Sequence, residues 1–225
     1  MTKKLLGLLA LAACLASVPA HAALVFTIGT TGGSGNTWPE AEAPGLAIDD
    51  AAGTKYLNFG KTDTGYIFTP TSGSAVATGV RFTTANDAVE RDPASYTLYG
   101  SNTVTASGVV GAVFNVDADF VLISTGGLSL PAGRNTDGGI VSFGNSTSYQ
   151  TFLLLFPTVK DAGAANSMQI NTARLQTSAG DLPNAGDLGG GQLSVIIPEP
   201  ASLGFLALGL AGFFARRRRA EGARR

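Results

Sequence analysis

Between Ala23 and about Thr177 apolar residues alternate with Thr, Ser and charged residues, and turn-forming residues punctuate the chain every ten to fifteen positions. In Val80-Arg81-Phe82-Thr83 and Tyr96-Thr97-Leu98-Tyr99 every second residue is apolar, as in a strand with one face on a core and one in water. The pattern predicts strands at Leu24–Ile28, Gly65–Thr69, Ala77–Thr84, Ser95–Tyr99, Phe120–Ile123, Ile140–Phe143, Thr151–Thr158 and Met168–Gln176. Thr151-Phe152-Leu153-Leu154-Leu155-Phe156 is almost wholly apolar, which predicts a central strand, and Asp137-Gly138-Gly139 predicts a hairpin turn before Ile140. No helical stripe of useful length and no internal repeat is present. About eight strands with long loops predict an all-β fold, a jelly-roll β-sandwich. From Ser178 the chain turns to Gly, Asp, Pro and Asn, with Gly189-Gly190-Gly191 near the end. That composition predicts a flexible linker over 178–197.

Both ends break this pattern. Lys3 and Lys4 precede an apolar run, Leu5 to Val18, and Ala20-His21-Ala22 forms an A-x-A cleavage site. This is the layout of a secretory signal peptide over 1–22, with Ala23 as the first mature residue. Leu11-Ala12-Ala13-Cys14 also fits a lipoprotein lipobox, so lipidation of Cys14 stands as a second reading. At the other end, Pro198-Glu199-Pro200 is followed by the uncharged, apolar segment Ala201–Ala215 and then by Arg216, Arg217, Arg218 and Arg219. An apolar helix stopped by a basic cluster reads as a transmembrane helix with its arginine end in the cytoplasm. Fifteen residues span only about 22 Å of a core of roughly 30 Å, a deficit that snorkelling arginines can make good. The chain therefore divides into a leader (1–22), a β-sandwich (23–177), a linker (178–197) and a tail (198–225).

Removal of the leader changes the available chemistry. Cys14 and His21 are the chain's single cysteine and single histidine, and both precede Ala23. The mature chain then has no disulfide, no Cys–His or Ser–His–Asp catalysis, and no zinc site built on His or Cys. Residues 23–197 hold 7 basic side chains against 14 acidic ones, a net charge of −7 without a basic stripe, which argues against nucleic acid as partner. Asp49-Asp50, Asp117/Asp119 and Glu40/Glu42 are the carboxylate pairs a glycosidase reading would need, but adjacent strand residues point to opposite faces. No phosphate loop or dinucleotide fingerprint is present. The sequence reads as a non-enzyme.

The Pro-Glu-Pro triplet, apolar helix and arginine cluster, in that order, resemble the PEP-CTERM sorting signal of Gram-negative bacteria. The resemblance implies processing by the membrane-embedded exosortase, a transient inner-membrane stage and then display at the cell surface or in the extracellular matrix. Its signal residues are Pro198, Glu199, Pro200 and Arg216–Arg219. A second resemblance lies in the body. Ala47-Ile48-Asp49-Asp50, then Thr54-Lys55-Tyr56, is similar to the A-(I/F)-D-G-x-x-x-T-x-W signature of discoidin-like domains, the coagulation-factor type C group. Ser95-Tyr96-Thr97-Leu98-Tyr99-Gly100-Ser101-Asn102 and Ser167-Met168-Gln169-Ile170 follow in the expected order. The resemblance implies a galactose-binding-like jelly roll whose loops at one end bind glycans, lipids or proteins. It also implies a structural calcium ion held by loop carbonyls with Asp49, Asp50 and Thr54, although Thr172 stands where the group often supplies a glutamate.

Candidate ligand residues are Trp38, able to stack on a sugar ring, and Arg91 and Arg134, whose planar forks suit a carboxylate or a sugar diol. The competing structural roles are a core plug for Trp38 and a local ion pair of Arg91 with Asp92. The leading functional expectation is an exported binding module for polysaccharide or another matrix component. A structural matrix protein and a glycan-active enzyme are the alternatives.

Overall fold

The computed structural model describes residues 22–49, 51–182 and 185–196. Most of the leader, the Pro-Glu-Pro triplet, the apolar tail with its arginines, and Asp50 lie outside the described residues. Among the described residues no helix is long and apolar enough to cross a membrane.

Residues Ala23–Ile196 form one compact unit. Its strands are β1 (Ala23–Ile28), β2 (Thr30–Thr31), β3 (Thr37–Trp38), β4 (Tyr56–Asn58), β5 (Thr64–Pro70), β6 (Gly79–Thr83), β7 (Ser95–Ser101), β8 (Val113–Asn115), β9 (Val121–Gly127), β10 (Asp137–Ser142), β11 (Thr151–Phe156), β12 (Met168–Ile170), β13 (Thr172–Thr177), β14 (Gly180–Asp181) and β15 (Ala185–Ile196). A seven-stranded sheet runs β8-β1-β15-β5-β11-β7-β9, and a four-stranded sheet runs β10-β6-β13-β14. Every pairing within these two sheets is antiparallel. All the strands expected from the hydrophobic pattern are present, and the fold is a jelly-roll β-sandwich.

The main core lies between the sheets. Tyr66, Phe68, Tyr96, Leu98, Phe152, Leu154 and Phe156 of the larger sheet meet Val80, Phe82, Ala173 and Leu175 of the smaller. A second core covers the outer face of the larger sheet. There Phe26, Ile67, Leu153 and Leu155 are packed under Ala106, Val116 and Phe120 from the segment between β7 and β9. This explains why β11 is apolar on both faces: each face has a cover, and each buried Leu or Phe is worth about 1.5–3 kcal/mol.

Two expectations need correction. Asp137-Gly138-Gly139 is no hairpin turn; it lies inside β10, where the register with β6 shifts between Asp137 and Gly139 and Gly139 takes a left-handed φ of 80°. The larger correction concerns the Gly-rich segment over 178–197. It contains β14 and β15, and β15 is an interior strand of the larger sheet, paired with β1 on one side and β5 on the other. The glycines are there because neighbours press onto the strand. A Cβ on Gly190 would lie 2.5 Å from Pro44 Cγ and 2.7 Å from Tyr56 Oη, and one on Gly191 would lie 2.6 Å from the Phe26 ring. The domain therefore ends at Ile196, which pairs with Ala23, its first residue.

Two outcomes follow for stability. A chain ending at Ile196 folds, whereas one ending at Thr177 loses an interior strand and shows no cooperative melt by circular dichroism. Gly190→Ala costs about 1–3 kcal/mol through overpacking. Gly144→Ala, where an added Cβ meets nothing within 4 Å, stays within about 0.5 kcal/mol. Equal melting of the two variants would contradict the packing of β15.

Candidate functional site

At the end of the sandwich where β7 begins and β11 finishes, four loops meet: 59–63, 84–94, 128–136 and 157–167. They are stitched by backbone hydrogen bonds, among them Lys160 N to Asp92 O at 2.9 Å, Asp161 N to Glu90 O at 3.1 Å and Asn135 N to Ala85 O at 3.0 Å. Among the described residues, the non-glycine positions with a left-handed backbone, Lys61, Asp63, Ala88 and Asn135, all lie in these loops. Such conformations cost about 1–3 kcal/mol each and persist only where the surroundings fix them.

Two ion-pair networks do the fixing. The Asp92 carboxylate is fully buried and is gripped bidentately by Arg134, with Nη1 to Oδ1 at 2.9 Å and Nη2 to Oδ2 at 2.7 Å. Lys160 Nζ adds a third contact at 3.0 Å and also donates to the Leu130 carbonyl at 2.8 Å. The Asp92 hydrogen bond, followed by the charges of Asp92, Asp87 and Glu90, raises the Arg134 pKa against the opposing pull of burial. The second network centres on Lys55, only 6% exposed, which reaches Asp87 at 2.8 Å, Gln169 Oε1 at 3.1 Å and Glu42 at 3.3 Å. Burial pushes Asp87 up, but the Lys55 hydrogen bond and charge, with Gln169 and Arg91, outweigh it and hold the carboxyl below its usual range. The Gln169 amide donates to the carbonyls of Asp87 and Ala88, which pins the strained turn from beneath.

The expected ligand residues separate sharply. Trp38 is buried, edge-on to Tyr56 with ring centroids 6.5 Å apart and its Cζ3 against Gly190, so its indole plugs the core and is not offered to a sugar. Arg134 is consumed by Asp92, and it, not Arg91, is the partner of that carboxylate. Arg91 sits in the 3-10 turn Val89–Arg91, partly exposed, with its nearest carboxylate, Asp87, 4.0 Å away and its buried Nε unpartnered. Asp87, Lys55 and Lys160 carried no sequence signal, because the pairs that define their roles, Lys55–Asp87, Lys160–Asp92 and Lys55–Gln169, are 32, 68 and 114 residues apart.

The Asp49 loop can be tested as a calcium cradle. Asp49 Oδ1 accepts from Ala51 N at 3.0 Å and from Thr54 Oγ1 at 3.1 Å, and Thr54 Oγ1 also lies 2.9 Å from the Ala51 carbonyl. The Asn171 amide donates to the carbonyls of Ala51 and Thr54, and its Oδ1 accepts from Thr172 Oγ1 at 2.8 Å. Calcium requires six to eight oxygens. Here one carboxylate is present among the described residues, and an amide N–H faces the two carbonyls a cation would use. Among the described residues the loop is a hydrogen-bonded clasp closed by Asn171 that does not by itself supply calcium's oxygens, and Asp50 lies outside them.

A family model described as the PEP-CTERM protein-sorting motif matches residues 197–219, so the chain carries that motif at its C-terminus. No curated protein matches the chain. Among solved structures the domain is similar to CpGH89CBM32-5 from Clostridium perfringens, in complex with GalNAc-β-1,3-galactose, at 14% identity and a TM-score of 0.40 over 58% of this chain and 80% of that one. It is similar to the family 32 CBM of C. perfringens NanJ in complex with galactose, at 14% identity and a TM-score of 0.40 over 62% and 89% of the two chains. It is also similar to chitosan-binding module 1 of a Paenibacillus sp. IK-5 chitosanase/glucanase, at 16% identity and a TM-score of 0.38 over 63% and 93%.

Arg134→Ala leaves a buried carboxylate with one cation and costs about 3–5 kcal/mol in urea unfolding. A loss below about 1 kcal/mol would show the Asp92 network to be incidental. The clasp makes a separate statement: the melting curve is the same in chelator and in millimolar calcium, while Asn171→Asp confers a calcium-dependent rise. Calcium-dependent stabilisation of the unaltered protein would contradict it.

Proposed function

We propose that the domain is a non-catalytic carbohydrate-binding module of an exported surface protein, with the crown of four loops as its ligand face and Arg91 as its polar anchor. The observation that carries this reading is Arg91 itself. The ion networks hold the loop beneath it, and its guanidinium keeps only a long ion pair, 4.0 Å to Asp87, with the side chain partly exposed. A planar fork in that position donates charge-assisted hydrogen bonds to neighbouring hydroxyls of a sugar. Val89, 37% exposed on the same turn, offers an apolar contact to the ring's C–H face. Because the loop is already ordered, little conformational entropy is lost on binding.

Catalysis finds no support in the side chains present. Residues 23–196 contain no His or Cys. Glu42 is engaged with Lys55, and Asp117 Oδ2 accepts from Leu24 N at 2.7 Å. Export rests on the leader and the sorting motif. Exosortase as processing partner, and polysaccharide or another matrix component as ligand, belong to the same proposal.

The test is a glycan array followed by calorimetry on residues 23–196, with galactose and N-acetylgalactosamine among the probes. Saturable binding to at least one glycan is expected, and Arg91→Ala weakens it at least about tenfold at an unchanged melting temperature. Absence of glycan binding, or binding indifferent to Arg91→Ala, would sink the assignment.

A further inference from the structure

We propose, resting on the carbohydrate-binding reading, that the crown grips one hydroxyl of a neutral sugar between Arg91 and Asp87, and that Asp87 selects a neutral sugar over a charged one. The observation behind this is a gap. Asp87 Oδ2 and Arg91 Nη1 face each other at 4.0 Å, four positions apart along the strained turn. A guanidinium and a carboxylate free to meet close to about 2.7–2.9 Å. Here they stay apart.

The scaffold fixes both partners. The Asp87 carbonyl accepts from Gln169 Nε2 and, at 3.0 Å, from Arg134 Nη1, while its Oδ1 accepts from Lys55 Nζ at 2.8 Å. Asp87 is thus tied at its backbone and at one carboxylate oxygen, with the other oxygen turned to Arg91. Ala88 beside it has a left-handed φ of 45°, and Arg91 N donates to the Ala88 carbonyl at 3.0 Å. Arg91 Nε is buried without a hydrogen-bond partner, which seats the guanidinium. Both side chains still reach solvent, Asp87 at 53% exposure and Arg91 at 22%.

A gap of 4.0 Å is too long for a direct hydrogen bond, yet one oxygen can sit about 2.8 Å from both groups. The group placed there has to accept from the guanidinium and donate to the carboxylate. A hydroxyl does both. A uronate or sulfate oxygen accepts from Arg91, but it has no proton to give and sets a like charge against Asp87. Glu90, partly exposed on the same turn, adds to that repulsion. The ammonium of an amino sugar donates to Asp87 but has no lone pair for Arg91. A sugar lacking the hydroxyl leaves two charged groups facing an unfilled gap, which is how a polar site rejects a deoxy analogue.

NMR titration of the full chain in a sugar-free detergent tests this. The probes are the methyl glycosides of glucose, galactose and mannose, the matching glucuronide and galacturonide, and glucosamine. At least one neutral glycoside is expected to bind at least about tenfold more tightly than the uronides and glucosamine. Among its monodeoxy analogues, loss of one hydroxyl costs at least about tenfold. In Asp87→Asn, Lys55 holds the remaining oxygen and an amide N–H faces the gap, so the parent glycoside weakens to the level of that analogue. The deoxy series on the unaltered protein decides the matter alone where the variant fails to fold. If no probe of any charge binds, the proposal falls together with the carbohydrate-binding reading. Three results overturn it alone and leave the binding module in place: a uronide or glucosamine bound as tightly as the neutral glycoside, equal binding of every deoxy analogue, or an unchanged deoxy penalty in Asp87→Asn.

Discussion

The fold depends on one interior strand that has to be almost free of side chains. β15 runs between β1 and β5, and both faces of Gly189-Gly190-Gly191 are occupied by other parts of the chain. Phe26 and Ile28 lean over it from one side, and Pro44, Trp38 and Tyr56 press from the other. Tyr56 then donates to the Gly65 carbonyl at 3.0 Å, and Asn58 donates to Tyr56 Oη at 2.8 Å, so the buried polar atoms at this crossing find partners. Gly in a strand is normally destabilising because of its conformational freedom. Here that cost is offset by aromatic packing that any Cβ would exclude.

The same strand has a consequence for export. β15 ends at Ile196, beside Ala23, and the sorting motif begins at the next residue. No spacer in the sequence therefore separates the last interior strand from the signal. The ordered platform also explains how the loop crown holds its strained turns. Buried Asp92, with two cations on it, is costly to desolvate and costly to break, so its value lies in fixing loop geometry as much as in stability. Arg91 is held only by its 4.0 Å pair with Asp87.

Much of the sandwich was legible in the chain. Alternation located β6 and β7, the apolar run located β11, and the leader and tail were marked by their own compositions. The glycine strand was not legible, because Gly189-Gly190-Gly191 is as compatible with a loose linker as with a crowded interior. What distinguishes them lies over 130 residues away, in Phe26, Trp38 and Tyr56. Arg134 failed as a ligand candidate for a similar reason: Asp92 lies 42 residues away in sequence and is adjacent only after folding. Trp38 illustrates the ordinary preference of a large aromatic for burial over display.

The central claim is that the chain's glycine-rich end is the structural middle of the domain. Native-state amide hydrogen exchange tests it most directly. The amides of Gly191 and Gln192, held between β1 and β5, are expected to exchange only through global unfolding, with protection equal to that of Leu153 and Leu154 in β11. Exchange of those amides at the rate of an unstructured linker, while β11 stays protected, would contradict the account.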